Sequence, residues 1–163
     1  MPDNANQQTF VVHKSDPVPP FVQLNLNTWM EVHRELKTGA AFSLWMWYAS
    51  NADGYSDDIY SSTIIDDLNL SKQSYYNARD KLCAYGYLIP NRYKMYEYHY
   101  YNESPVRMEW RRKVKSDPKK EKELQALFKD LINKKIPIED LTLEEWWLYN
   151  RGKKYHWEEV WDF

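Results

Sequence analysis

"SSTIIDDLNLSKQSYYNARDKL" (residues 61–82), running on into "CAYGYLIPNRYKMYEYHYY" (83–101), carries the strongest local signals in the chain. Ser61 or Ser62 is placed to cap a short helix whose inner side is Ile64, Ile65 and Leu68. Asn69 stands where a tight turn asks for a left-handed residue, which Asn tolerates better than most. Leu70 plugs the turn and Ser71 caps a second helix. Tyr75, Ala78 and Leu82 fall at i, i+3 and i+7, one inward stripe, and Gly86 follows as a C-terminal stop. Beyond it, "YLIP" and "KMYEYHYY" read as two strands around a "PNR" turn, with Tyr96, Tyr98 and Tyr100 on one face.

Upstream, "FVQLNLN" (21–27) alternates apolar and polar residues and predicts a short strand or extended segment. Asn27 or Thr28 then caps a helix through Trp29, Val32, His33 and Leu36. Thr38 is the expected cap of the next helix, "GAAFSLWMWYAS", whose apolar residues run nearly all round it, as in a helix surrounded by others. "NADGYSDD" (51–58) is a turn by composition. Asn51, Asp53 and Gly54 fit three positions of a calcium loop. That register, however, puts Ala49 and Tyr60 where carboxylates are required, so calcium is rejected. Residues 1–20 are polar, end in "DPVPP" and read as a loose arm.

The order helix, helix, turn, helix, hairpin predicts a mainly α fold with a small β-hairpin wing: a winged helix-turn-helix with a C-terminal helical extension. "YASNADGYSDDIYSSTIIDDLNLSKQSYYNARDKLCAYGYLI" resembles the winged helix-turn-helix modules of bacteriophage, plasmid and Gram-positive mobile-element proteins. Replication-initiator-like and replisome-organiser-like N-terminal domains are among them. The resemblance covers residues 21–104. It implies the fold, and as a function it implies DNA binding by a regulator or replication accessory, although this fold serves many tasks. Residues 105–163 form a basic connector and a Trp-rich helical extension outside it.

On a helix whose Tyr75, Ala78 and Leu82 point inward, Lys72, Gln73, Tyr76 and Asn77 point outward. They suit base edges and phosphates of double-stranded DNA. Arg92 and Lys94 lie at the wing tip, and the hydroxyls of Ser61 and Ser62 at a helix N-terminus suit a phosphate. Charge opposes this reading. The whole chain has a net charge of −2, and residues 21–104 hold 7 Lys/Arg against 10 Asp/Glu. Few phosphates could be neutralised there without a homodimer or help from the connector. The connector, "VRMEWRRKVKSDPKKEK", supplies Arg111, Arg112 and Lys113 with Trp110 interleaved, a pattern that tracks a phosphate backbone or simply forms a solvated linker.

A helix is predicted from Pro118 to Lys135, with Asp117 as cap and Leu124, Leu127, Phe128 and Leu131 as its buried stripe. Thr142 and Glu145 have capping-box spacing. Trp146, Trp147, Trp157 and Trp161 either fold back to complete a core or form a dimer or partner interface.

Catalysis and metal binding are not expected. His13, His33, His99 and His156 are scattered, Cys83 is alone, and the pairs Asp57/Asp58 and Asp66/Asp67 diverge on a helix. No cofactor motif is present among 4 Gly. "MPDNANQQTF" does not resemble a secretory signal and the longest apolar run is too short to span a bilayer, so the expected location is cytoplasmic, with no membrane partner. A second function remains open: a protein-interaction module, such as a phage-encoded, anti-CRISPR-like inhibitor of a host nucleic-acid enzyme. Its aspartates would oppose a host or phage partner's basic groove.

Overall fold

The computed structural model describes Val11 and residues 24–51, 61–94 and 97–160. The arm, Phe21–Gln23, most of the 51–58 turn with Asp57 and Asp58, Tyr96 and Trp161 lie outside these residues. Helix α1 spans Leu26–Leu36. Its cap is Asn25, whose side-chain oxygen accepts from Asn27 N at 2.9 Å and Thr28 N at 3.4 Å. Leu26 and Asn27 are therefore helical, not extended, and the cap comes earlier than expected. An Asn side chain that satisfies two orphan amides outweighs a short alternation of apolar residues.

Helix α2 (Ala40–Asn51) begins where Ser43 N donates to Gly39 O at 3.0 Å, one residue beyond the expected cap at Thr38. It runs through the middle of the first core, with Leu44 and Trp45 fully buried.

Helices α3 (Ser61–Leu68) and α4 (Lys72–Ala84) end in the same way. Asn69 takes φ 51°, and amides of Asn69 and Leu70 return to Asp66 O and Ile65 O at 3.2 and 3.0 Å. Gly86 takes φ 75°, and amides of Gly86 and Tyr87 return to Cys83 O and Leu82 O at 3.2 and 2.9 Å. Both are stops in which a left-handed residue lets the chain satisfy orphan carbonyls. Ser71 Oγ accepts from Ser74 N at 3.0 Å, and Tyr75, Ala78 and Leu82 are buried, as their spacing requires.

Strands β1 (Leu88–Pro90) and β2 (Tyr98–Tyr100) form a two-stranded antiparallel sheet, with Leu88 opposite Tyr100 and Pro90 opposite Tyr98. Pro90 has no N–H to extend the ladder. Asn91 then closes a turn, its side chain accepting from Tyr93 N and Lys94 N at 2.8 and 3.0 Å. Because side chains alternate along a strand, Leu88 enters the first core while Ile89 enters a second.

That second core belongs to the C-terminal part: α5 (Met108–Arg111), a 3-10 turn at Pro118–Lys120, α6 (Lys122–Asn133), another at Ile138–Asp140, α7 (Leu143–Lys154) and a last one at Trp157–Val160. The helix expected from Pro118 is interrupted at Glu121, which turns its carboxylate onto Arg151. Leu124, Phe128 and Leu131 are buried, with Leu127 packed beside them. Thr142 and Glu145 make the full capping box, with bonds of 3.2 and 2.9 Å. Gly152 lets α7 meet α6, since a Cβ there would lie 2.2 Å from the Phe128 ring.

Trp146, Trp147 and Trp157 are 6%, 3% and 1% exposed, so they build this core and present no open interface. The architecture is mainly helical with one small hairpin. Among the described residues no helix is long and apolar enough to cross a membrane.

Candidate nucleic-acid interface

Ser71 sets the phase of α4. With its inward stripe buried, Lys72, Gln73 and Asn77 are exposed and Tyr76 is half-buried. Gln73 Nε2 donates to Asn77 Oδ1 at 2.9 Å, an i, i+4 bond. The pair ends in an acceptor, Gln73 Oε1, and a donor, Asn77 Nδ2. That combination complements the amino group and N7 of adenine in a major groove.

Arg79, which no sequence motif marks, lies one turn on: its guanidinium sits 4.9 Å from the Tyr76 ring and 5.8 Å from that of Tyr98. The i, i+3 spacing from Tyr76 was the available signal.

Other sequence-predicted groups are less free. Ser61 is half-buried and Ser62 exposed, both in the first turn of α3. Lys94 is exposed, but Arg92 Nη1 donates to Ile138 O and Glu139 O at 2.9 and 3.3 Å, which ties the hairpin loop to the C-terminal part. Arg112 is exposed, whereas Lys113 pairs with Glu123 and Arg107 with Glu144 at 2.5 Å.

Arg111 is a correction. It is 6% exposed and its guanidinium is held by Glu35 and by Glu31, the latter at 2.7 Å, so it is a buried clamp and no phosphate ligand. A lone buried cation has a large desolvation cost, and two carboxylates on one face of α1 offset it.

Burial raises the Glu35 carboxyl to about 7 in spite of the nearby Arg111, and Glu31 adds to the rise. Desolvation wins because Arg111 is shared with Glu31, whose own charge adds to the rise, although Arg111 and Tyr87 both hydrogen-bond the carboxyl. Burial also pushes the Cys83 thiol up to about 11, which leaves it un-ionised and a poor nucleophile at neutral pH.

On α3, Asp66 and Asp67 are both exposed, and Asp67 accepts from Trp47 Nε1 at 3.0 Å. Among the described residues no group of His, Cys, Asp and Glu could hold a metal ion. Comparison with protein-family models, with curated proteins and with solved structures finds no match.

Proposed function

We propose that the protein is a DNA-binding protein on a winged-helix scaffold, a regulator or replication accessory of phage or mobile-element type. In this reading α4 enters the major groove and the β1–β2 hairpin is the wing. The observation that carries it is the face of α4, where Lys72, Gln73 and Asn77 stand exposed with the two amides already paired at 2.9 Å. Lys72 contacts phosphate, the amide pair reads a base edge, and Lys94 and Arg112 add backbone contacts. Charge on this face is sparse, so a two-fold dimer on a palindromic site supplies the remaining affinity.

The test is binding to mixed-sequence duplexes across a salt series. Lys72→Ala should lower the slope of log affinity against log salt by about one phosphate, and Gln73→Ala with Asn77→Ala should relax discrimination by about 1–3 kcal/mol. No binding at low salt would sink the proposal.

A specific observation favours the other reading, a protein partner. Arg107, Arg111 and Lys113 of the basic connector are all paired with carboxylates, and Asp66 is exposed beside α4. Capture of the same host or phage protein before and after nuclease treatment would support it. A partner that disappears with the nucleic acid would return the argument to DNA.

A further inference from the structure

Between α4, the hairpin loop and α7 lies a cleft of about 570 Å³. Its size falls within the roughly 300–1,000 Å³ of small-molecule sites. Five cations line it, Arg79, Arg92, Lys94, Arg151 and Lys154, against two acids, Asp80 and Glu97. Arg151 is neutralised by Glu121 and Lys154 by Asp80, the latter at 3.0 Å.

Arg79, Arg92 and Lys94 have no carboxylate partner among the described residues. Glu97 accepts from the neutral Asn91 amide and keeps its charge, so the three unpaired cations exceed it by two. Unpaired positive charge thus gathers in this cleft although the chain as a whole has a net charge of −2. Its walls are also aromatic: Tyr98 is 44% exposed, Tyr93 is 73% exposed, and Trp146, Trp147 and Tyr155 complete the lining.

Cations without counter-ions beside open aromatic faces suit a ligand that is both anionic and flat, because the ring stacks while the charge is neutralised. We propose that this cleft binds a nucleotide, its base against Tyr98 and its phosphate on Arg79 and Lys94. The nucleotide is either free or the terminal residue of a single strand. Arg79 is already held over Tyr98 at 5.8 Å, so the stacking surface and the phosphate cation are brought together before any ligand arrives. The site shares Lys94 with the contacts proposed for duplex DNA but does not use Lys72, Gln73 or Asn77, so it does not require that face of α4 to read a duplex.

Calorimetric titration of the full chain with AMP tests this, alongside adenosine, inorganic phosphate and a short 5′-phosphorylated single strand. AMP should bind saturably, and adenosine and phosphate each about tenfold more weakly or worse, since each keeps only half of the recognition. Arg79→Gln and the exposed Lys94→Gln should each weaken AMP by about tenfold, with circular dichroism unchanged. Lys72→Ala should leave AMP binding as it is, which separates failure here from failure on duplex DNA. Binding of the single strand alone, lost in Arg79→Gln, assigns the site to strand ends. No saturation by AMP or the strand at millimolar concentration, or binding indifferent to both variants, overturns the proposal.

Discussion

The two cores differ in what they bury. The first, around Leu44, Trp45, Tyr75 and Leu82, is almost wholly apolar, and its helices are delimited by neighbours in sequence: Asn25, Asn69, Ser71 and Gly86. The second buries an ion pair in addition to its tryptophans. Arg151 meets Glu121 through two nitrogens, the Nε bond being 2.7 Å, and the Glu121 side chain is 0% exposed. Its stability therefore depends on a contact between residues thirty positions apart, while that of the first follows from apolar area and local caps. Arg111 joins the two, taking carboxylates from α1 to a helix of the second part.

The largest effect should come from the buried pair. Arg151→Met leaves Glu121 buried with no cation and only the Lys115 amide, 2.9 Å from Oε1, as a donor, and should cost about 3–5 kcal/mol in urea unfolding. Glu121→Leu with Arg151→Met should recover most of that loss, since neither charge then remains buried.

Next comes the joint between the cores. A carboxyl raised from 4.5 to about 7 on folding holds its proton more tightly in the folded state. Its contribution to stability is thus complete below about pH 4.5 and is lost as pH rises through about 7. At 1.36 kcal/mol per pKa unit that loss is on the order of 3 kcal/mol. Glu35→Gln should flatten this part of the stability profile between pH 4.5 and 8. An unchanged profile would place the titration elsewhere.

The smallest effects test whether the cores melt together. Ser71→Ala and Thr142→Ala remove one cap from each, at about 1 kcal/mol apiece. Additivity within about 0.5 kcal/mol, with a single transition, marks two caps that act independently within one cooperative unit. Two separate transitions would show that the cores unfold apart.

What could be read in advance follows the same division. Asn69, Ser71, the Tyr75–Ala78–Leu82 stripe and the Thr142–Glu145 box are decided by residues within one or two turns, and each is found where its spacing puts it. Leu26 and Asn27 end a short alternating stretch, residues 21–27, that fits an extended segment, and only the Asn25 side chain places them in a helix. Arg111 could not be recognised as a clamp, since its partners lie 76 and 80 residues upstream and it stands in a run of basic residues. Of the proposed interface, Lys72, Gln73 and Asn77 were visible from helical phase, but the cleft was not. Its cations come from α4, the hairpin loop and α7, and no local pattern brings those three together.

Trp146 and Trp147 are adjacent on α7, so their indoles leave the helix about 100° apart. Trp146 Nε1 donates to Pro90 O at 2.7 Å and Trp147 Nε1 to Cys83 O at 2.9 Å. One indole grips the end of a strand and the other the last turn of α4. In mechanical terms α7 is a brace across a hinge: a force that lifted the hairpin away from α4 would have to break an indole bond or carry α7 along. The two elements are held at a fixed spacing, and whatever docks on one meets the other already in place.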